Sequence, residues 1–252
     1  MEKLSAVIIT YNEEKNIGRC IDSVKNIADE ILILDSNSTD QTASIAETKG
    51  AVVIKEKFRG HIQMKNRAIE LATNNYILSL DADEALDTLL TLSIQKIKEN
   101  FTNKAYRMNR CTNYCGQFIR HGSWYPDRKI RIFDKRVARW GGINPHDKIV
   151  VNENTDVKQL SGDILHYSYY TIAEHVAQNN KFSTISAESL FAEGKKTNLF
   201  KIIANPVWAF IQGYLLRAGF LDGLFGFAIA VQVSHLTFLK HLKLYVLQKS
   251  VK

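Results

Sequence analysis

Short apolar runs alternate with helical patterns along the first hundred residues. Continuous apolar runs predict four β-strands, over residues 4–10, 30–34, 51–55 and 76–80. Their unbroken hydrophobicity is typical of a parallel sheet that is buried on both faces. Apolar residues at helical spacing predict four helices, over residues 14–27, 41–49, 62–73 and 86–100. This alternation predicts right-handed crossovers and a ligand site beyond the carboxyl ends of the strands.

The pattern changes after residue 100. Short β-like segments at 105–110, 129–133 and 148–151 are separated by loops rich in glycine, asparagine and aromatic residues. They predict a second half of the sheet in which strand directions are mixed. From Thr171 onward the spacing is helical, with a break at 193–198 and an apolar, aromatic stretch from Leu199 to about Phe238. The chain is therefore predicted to end in a helical extension over residues 171–252.

The apolar stretch in this extension is interrupted by Pro206, Arg217 and Asp222. No run approaches the roughly 20 uninterrupted apolar residues of a membrane-spanning helix, so we predict a segment that lies on a membrane surface. Basic residues follow it, which suits binding to anionic lipid: Lys240, His241, Lys243, Lys249 and Lys252. A helical core or an interface between copies of the chain is the alternative.

The composition favours a folded chain with a basic surface. Of 252 residues, 45% are hydrophobic and 23% are charged, which is too apolar for disorder. The net charge of +7 indicates a surface that attracts phosphorylated substrates, lipid headgroups or nucleic acid. Because the basic residues are spread along the chain and form no known nucleic-acid motif, no nucleic-acid partner is predicted.

The cysteines and the N-terminal residues indicate the cellular compartment of the protein. The three cysteines, Cys20, Cys111 and Cys115, include no second pair that would complete a zinc site, which favours reduced thiols. The apolar run at the N-terminus is too short and too soon polar to be a signal sequence. We therefore expect a cytoplasmic protein. Together with the predicted surface segment, this allows peripheral binding to the cytoplasmic face of the inner membrane.

The strongest chemical signal is Asp81-Ala82-Asp83, which follows an apolar strand. Carboxylates at i and i+2 of a strand face the same side. Mg²⁺ or Mn²⁺ bound to a diphosphate usually keeps only one or two protein carboxylates, so such a pair suits this cation. The motif alone is weak, because Asp83 could instead cap the helix that follows.

Two other polar loops follow predicted strands and strengthen this interpretation. Thr10-Tyr11-Asn12-Glu13 comes after the first strand, and a segment from Asp35 to Asp40 comes after the second. Both loops end where a helix is predicted to begin, and helix N-termini bind phosphate well. Asn12 and Asp40 could equally serve as helix caps. Three polar loops are thus predicted to converge on one edge of the sheet.

These three loops, in this order, resemble those of the family 2 glycosyltransferases. The resemblance implies a GT-A domain, a Rossmann-like nucleotide-diphospho-sugar transferase fold, and a divalent cation, Mg²⁺ or Mn²⁺, on Asp81 and Asp83. It also implies a nucleotide-sugar pocket formed by Thr10, Tyr11, Asn12, Glu13, Asp35, Lys65, Arg67, Asp81, Ala82 and Asp83. For Lys65 and Arg67, a solvated helix face is an equal alternative.

Direct displacement at an anomeric carbon needs a base that deprotonates the acceptor hydroxyl. The best candidate is Asp147, in a loop that Gly141, Gly142 and Pro145 shape. A capping or salt-bridging carboxylate is the alternative.

The whole chain resembles the subgroup of lipopolysaccharide core glycosyltransferases related to β-1,4-glucosyltransferases. Where many of these relatives have His-Glu, this chain has His146-Asp147, which keeps the carboxylate but shortens its reach. Possible acceptor contacts are His146, Arg128, Arg131 and Trp140. Arg120, His121 and Lys129 extend this basic patch, for which an ordinary charged surface is the alternative.

We therefore predict an α/β, GT-A protein with a mixed central sheet and a C-terminal helical extension. Its predicted catalytic domain covers residues 1–170, with a nucleotide-sugar half over 1–100 and an acceptor half over 101–170. The predicted activity is inverting transfer of a hexose, from a UDP-sugar, to a lipopolysaccharide-core or other envelope saccharide. A polyprenyl-phosphate sugar transferase and an inactive scaffold of the same fold are the alternatives. The oligomeric state is left open.

Overall fold

The computed structural model describes residues 2–143 and 146–250, without the side chains of Ile143 and His146. Contacts divide the chain into two units. The sheet unit comprises Met1–Cys111 and Asp127–Tyr167, and the helical unit comprises Thr112–Pro126 and Ser168–Lys252. The domain boundaries predicted from the sequence stay a prediction.

Four parallel strands form one half of the sheet: β1 (Leu4–Thr10), β2 (Glu30–Asp35), β3 (Val52–Lys55) and β4 (Tyr76–Asp81). Each is followed by a helix: α1 (Ile17–Val24), α2 (Thr42–Thr48), α3 (His61–Leu71) and α4 (Thr88–Glu99). The predicted strands and helices are confirmed, with ends that shift by three residues or fewer. The apolar runs of β1, β2 and β4 formed largely buried parallel strands, as their pattern indicated, whereas β3 lies at the edge of the sheet and Val52 is 56% exposed.

The other half of the sheet consists of β5 (Glu84–Leu86), β6 (Ala105–Tyr114), β8 (Asp127–Asp134) and β11 (Val157–Tyr169). It contains antiparallel pairs, of β8 with β4 and β6 and of β5 with β11. The strand order is β3-β2-β1-β4-β8-β6-β11-β5, so the predicted mixed sheet is confirmed. β9 (Ala138–Ile143) and β10 (His146–Val151) form a separate antiparallel ribbon.

Two apolar clusters cover the two faces of the sheet. Leu4, Ala6 and Ile8 of β1 pack in a cluster with residues of α1 and α4. Val7, on the opposite face, belongs to a cluster with residues of α3 and of the β9–β10 ribbon. Each large buried side chain contributes roughly 1.5–3 kcal/mol through the hydrophobic effect. Because α3 and the ribbon share one face, Lys65 of α3 and Asp147 of β10 come close together.

The structure corrects the expected helix caps. Asn12 has a left-handed backbone (φ 54°), and its side-chain oxygen accepts a hydrogen bond from the Thr39 amide at 2.9 Å. Since α1 begins only at Ile17, Asn12 does not cap it. α4 is capped by Asp87, which accepts from the Leu90 amide at 2.6 Å. The capping alternative for Asp83 is therefore wrong.

The helical unit contains β7 (Gln117–Phe118) and three helices: α5 (Ile172–Ala192), α6 (Leu199–Phe210) and α7 (Gly223–Lys249). α5 begins with a capping box between Thr171 and Glu174. α6 continues through a π-helical segment to Leu216, and a tight turn leads into α7. A Cβ atom on Gly226 would lie 1.9 Å from the Gly219 carbonyl oxygen, so this turn requires glycine. The predicted helical extension is confirmed.

Two stretches of the described helical unit are long and apolar enough to cross a membrane by length and composition alone. They are Leu199–Leu216 and Gly219–Lys249, each with a mean hydropathy of 1.3. The sequence was expected to offer no stretch of this length, because Pro206 and the charged residues interrupt it. Pro206 instead lies inside α6, which continues past it.

His175 predicts a pH-dependent stability of the helical unit. Its ring is buried, lies 3.1 Å from the Tyr114 hydroxyl through Nδ1, and contacts Trp124 and Tyr169. Burial lowers the pKa of His175 to about 4. The neutral imidazole is therefore favoured in the folded state, and its contribution to stability is lost as the pH falls from about 6.5 towards 4. We expect the free energy of unfolding to drop by about 1–2 kcal/mol between pH 7 and pH 5, measured by urea denaturation.

The variant His175→Phe is the matched control, since it keeps the aromatic contacts and removes the titrating group. It should lose most of this drop. An equal drop in the variant would assign the pH dependence to other groups.

Candidate active site

A cavity of about 440 Å³ opens at the carboxyl ends of β1 and β4. It lies where a parallel sheet of this kind is expected to bind its ligand. Its lining residues are Ile9, Thr10, Tyr11, Glu13, Ser36, Phe58, His61, Lys65, Asp81, Ala82, Asp83, Asp147 and His166. Most of the residues predicted for the nucleotide-sugar pocket are therefore together, and we call this space the first cavity.

Lys65 is the central cation of the first cavity. Its Nζ atom lies 2.9 Å from Asp81 Oδ1 and 2.8 Å from Asp147 Oδ2. The residue is only 6% exposed, and its ammonium group stands 4.0 Å from the centre of the Trp140 ring. A buried ammonium needs such compensation, because burial removes its hydration. Lys65 thus links the post-strand carboxylate Asp81 to the predicted base Asp147.

Trp140 is held in place by hydrogen bonds at both its backbone and its ring. The Asn66 side chain donates to the Trp140 carbonyl and accepts from the Trp140 amide, both at 3.0 Å. The indole N–H donates to Ser79 Oγ at 3.1 Å. These bonds join α3, β4 and β9, so they stabilise the ribbon that carries Asp147.

Behind Asp81 lies a buried ion pair that the sequence did not predict. Arg131 Nη2 lies 2.7 Å from Glu84 Oε1 and 3.3 Å from Asp81 Oδ2. Glu84 also accepts a hydrogen bond from the Asp81 amide at 3.0 Å. Burial alone would raise the pKa of Asp81, but Lys65 and Arg131 outweigh it and hold that pKa well below its ordinary value. The only signal for Glu84 in the sequence was its position directly after Asp83.

Asp83 faces a histidine of β11. His166 Nε2 lies 3.1 Å from Asp83 Oδ2, and the Tyr167 amide donates to the Asp83 carbonyl at 2.9 Å. The antiparallel pairing of β5 with β11 brings these residues together. Asp81 and Asp83 line the same cavity, although the chain turns between them rather than continuing as a strand.

The first post-strand loop contributes three residues to the cavity. Thr10 is 5% exposed, and its hydroxyl has no hydrogen-bond partner among the described residues. Tyr11 is 58% exposed. Burial raises the pKa of the Glu13 carboxyl, against the hydrogen bond that Asn16 donates to it. A ring and hydrogen-bonding groups thus line the cavity on this side.

Several predicted residues lie elsewhere. Asp35 is fully buried and accepts hydrogen bonds from the amide and hydroxyl of Ser38, and Asn12 bonds to the same second loop. Arg67 does not line the first cavity, and it pairs with Glu56 and Glu70. The side chain of His146 lies outside the described residues.

A second cavity of about 540 Å³ shares Lys65, Asp81 and Asp147 with the first. Arg128, Arg131 and Trp140, three of the predicted acceptor contacts, line it. Lys129 lines it as well, whereas Arg120 and His121 belong to the helical unit. Asp147 therefore borders both cavities.

The donor set for a cation is small. Among residues 2–143 and 146–250, no group of three or more histidine, cysteine, aspartate or glutamate side chains is placed to hold a metal ion. Asp81 and Asp83 offer carboxylate oxygens to the first cavity. Such a pair fits a hard divalent cation that takes its other ligands from phosphate oxygens and water.

Comparison with known proteins identifies relatives along the whole chain. Residues 5–152 match the family model of glycosyl transferase family 2. An uncharacterized glycosyltransferase of Rickettsia typhi is 34% identical over 97% of this chain and 87% of its own length. The lipopolysaccharide core biosynthesis glycosyltransferase LpsC of Rhizobium meliloti is 29% identical over 96% of this chain and 92% of its own length.

Among solved structures, glucosyl-3-phosphoglycerate synthase from Mycobacterium tuberculosis, in complex with Mn²⁺, UDP and glucosyl-3-phosphoglycerate, matches with a TM-score of 0.36. It is 22% identical over 44% of each chain. The resemblance predicted from the loops is confirmed by the family match and by the named relatives. The family model covers more than half of the chain, and the chain therefore belongs to glycosyl transferase family 2.

Proposed function

We propose that this glycosyltransferase moves a hexose from a UDP-sugar to a saccharide of the cell envelope, with inversion at the anomeric carbon. The observation that carries the proposal is the position of Asp147 between two adjoining cavities. The first cavity has the carboxylates and polar loops expected for a nucleotide diphosphate, and the second leaves room for an acceptor. The donor binds in the first cavity and the acceptor in the second.

On the donor side, four lining residues contact the nucleotide. Thr10, Tyr11 and Glu13 contact the nucleoside, and the buried Thr10 hydroxyl gains a hydrogen-bond partner. Lys65 approaches the phosphates, since an ammonium group is a suitable partner for them. Asn12 and Asp35 contribute indirectly, because their hydrogen bonds to Ser38 and Thr39 hold the loop that follows β2 in place. Arg67 has no role in donor binding.

Asp81 and Asp83 would hold Mg²⁺ or Mn²⁺ together with the diphosphate. The cation supplies Lewis-acid stabilisation of the charge that develops on the leaving diphosphate. His166 positions Asp83 by its contact at 3.1 Å, and Glu84 positions Asp81 by accepting its amide hydrogen bond.

Asp147 acts as the base in this proposal. The acceptor hydroxyl oxygen forms a bond to the anomeric carbon while the bond from that carbon to the diphosphate breaks, and the hydroxyl proton passes to Asp147. Such positioned proton transfer contributes typically about 10²–10⁴-fold to a rate. Attack from the face opposite the leaving group inverts the anomeric carbon.

The relative from Rhizobium meliloti supports an acceptor in the lipopolysaccharide core, since it is a glycosyltransferase named for core biosynthesis. A polyprenyl-phosphate acceptor is the second candidate, and it would need less of a base. Transfer to a saccharide should depend strongly on Asp147, whereas transfer to a polyprenyl phosphate should depend on it much less.

The helical unit is proposed to bind an anionic membrane surface. Between Leu199 and Leu224, nine apolar side chains among the described residues are more than half exposed: Leu199, Phe200, Ile203, Val207, Trp208, Leu215, Leu216, Leu221 and Leu224. Residues 195–252 contain eight lysines and arginines and one acidic residue, so they carry a net +7, which is the whole formal charge of the chain. An apolar face beside a concentrated positive charge suits an interface with anionic lipid.

The donor side is tested by calorimetric binding of UDP-, GDP- and dTDP-sugars with Mg²⁺ or Mn²⁺. We expect metal-dependent binding of one UDP-sugar, weakened about 10- to 100-fold in Asp83→Ala, since loss of a ligand or its support lowers metal affinity by that order. Asp156→Ala, an exposed carboxylate of the sheet unit, is the matched control and should bind as the wild type. If no nucleotide sugar binds with either metal, the proposed activity is wrong and an inactive scaffold is the better account.

A further inference from the structure

The second cavity is unusually rich in cations. Six basic side chains line it: Lys65, Arg110, Arg128, Lys129, Arg131 and Lys148. Its only acidic lining residues among those described are Asp81 and Asp147. A cavity with this charge attracts an anionic ligand.

Four of the six cations already have carboxylate partners. Lys65 pairs with Asp81 and Asp147, and Arg131 pairs with Glu84 and Asp81. Arg110 and Lys129 share Asp127, at 2.8 Å and 3.1 Å. Four carboxylates thus balance four cations.

Arg128 and Lys148 remain, and neither has an ion-pair partner among the described residues. Both are exposed at the cavity. The cavity and its supporting carboxylates therefore keep an excess of two positive charges. A phosphate monoester, with a charge of about −1.5 to −2 near neutral pH, matches this excess.

Arg131 adds an independent sign of a missing partner. It is 2% exposed and lines the cavity, yet its Nε and Nη1 atoms have no hydrogen-bond partner among the described residues. Buried N–H groups without partners are costly, so a ligand that reaches them gains affinity. Arginine is also the residue whose geometry best fits a phosphate.

Trp140 does not serve as a platform for a sugar ring. It is 5% exposed, and its ring contacts the Lys65 ammonium group at 4.0 Å and the Arg131 guanidinium group at 5.2 Å. In the second cavity, the Trp140 ring holds the cations of Lys65 and Arg131 in position. Recognition in this cavity thus depends on charge rather than on aromatic stacking.

We propose that the second cavity is a phosphate subsite for the acceptor, in which Arg128 and Lys148 bind a phosphate group carried by the saccharide. Bound there, the phosphate would position a neighbouring hydroxyl of the same saccharide for Asp147. This inference rests on the proposed transferase activity, and it narrows the acceptor to phosphorylated saccharides.

The test measures saccharide binding with the first cavity filled. Calorimetry in saturating UDP and Mn²⁺ compares glucose 6-phosphate, glucuronate and glucose as probes. We expect wild-type protein to bind glucose 6-phosphate at least about 10-fold more tightly than glucose. Removal of one charged hydrogen-bonding partner should cost about 10-fold, so Arg128→Gln/Lys148→Gln should lose about 100-fold or fall to the affinity for glucose.

A matched control removes the same charge outside the cavity. Arg107 and Lys158 are exposed on β6 and β11, and neither lines the cavity. Arg107→Gln/Lys158→Gln should bind glucose 6-phosphate within about twofold of wild type, because salt in the solvent screens the attraction between these exposed charges and the ligand.

Two results would overturn the inference: equal affinity for glucose and glucose 6-phosphate in wild-type protein, or unchanged affinity in the Arg128/Lys148 variant. Glucuronate that binds as tightly as glucose 6-phosphate would overturn the assignment to phosphate. The affinity for UDP with Mn²⁺, measured first on each protein, separates these failures from a failure of the proposed activity. If a protein binds UDP normally but shows no preference for the phosphorylated sugar, only the phosphate subsite is wrong and the proposed activity stands.

Discussion

Replacement of Asp147 with asparagine is expected to lower kcat about 100- to 10,000-fold and to leave the Kd for the UDP-sugar within about threefold. Asparagine keeps the shape of the side chain but cannot take the acceptor proton. Lys65 keeps its second carboxylate partner, Asp81, at 2.9 Å, so the first cavity should stay assembled. The measurement is single-turnover transfer to the acceptor that the binding experiments identify, together with donor calorimetry.

Asp22→Asn is the control, because Asp22 is an exposed carboxylate paired with lysines outside both cavities. Its kcat should match that of the wild type. If Asp147→Asn transfers sugar at half the wild-type rate or more, Asp147 is not the base. Transfer to a polyprenyl phosphate, whose phosphate oxygen needs little base catalysis to attack, would then become the better explanation.

Loss of membrane binding is expected when two apolar side chains of the helical unit become acidic. Phe200 and Leu224 are 77% and 78% exposed. Each large apolar side chain that enters an interface contributes roughly 1.5–3 kcal/mol, so Phe200→Glu/Leu224→Glu should weaken binding about 100-fold or more. Flotation with phosphatidylcholine vesicles, with and without phosphatidylglycerol, measures the change.

The sheet unit offers a matched control. Leu89 and Leu92 are 55% and 57% exposed on α4, and Leu89→Glu/Leu92→Glu should float as the wild type does. Wild-type binding should require phosphatidylglycerol and weaken with salt. A wild-type dimer in the absence of lipid that the Phe200/Leu224 variant dissociates would show instead that a second copy of the chain covers this face.

Local pattern was sufficient for most of the fold. The continuous apolar runs identified β1 to β4. For β1, β2 and β4 the reason is that a strand buried on both faces needs apolar residues at almost every position. The same logic located the post-strand loops, since polar residues at the ends of such runs cannot enter the core. Residues two apart on a helix point about 200° away from each other, so the sequence could also have shown that Lys65 and Arg67 do not both face the site.

The ion pairs were beyond the reach of sequence patterns. Lys65 and Asp147 are separated by 82 residues, and their contact depends on how α3 and the ribbon pack on one face of the sheet. The partner of Asp83, His166, comes from β11 through an antiparallel pairing that no local spacing indicates.

The sequence by itself determined the order of the elements, the family resemblance and the carboxylates at the strand ends, because these depend on local periodicity and on neighbours along the chain. Only the tertiary structure decided which charges balance one another. It showed Glu84 behind Asp81, and it left Arg128 and Lys148 without carboxylate partners among the described residues. The physical reason is that electrostatic pairing depends on distances in space, and packing of distant elements sets those distances.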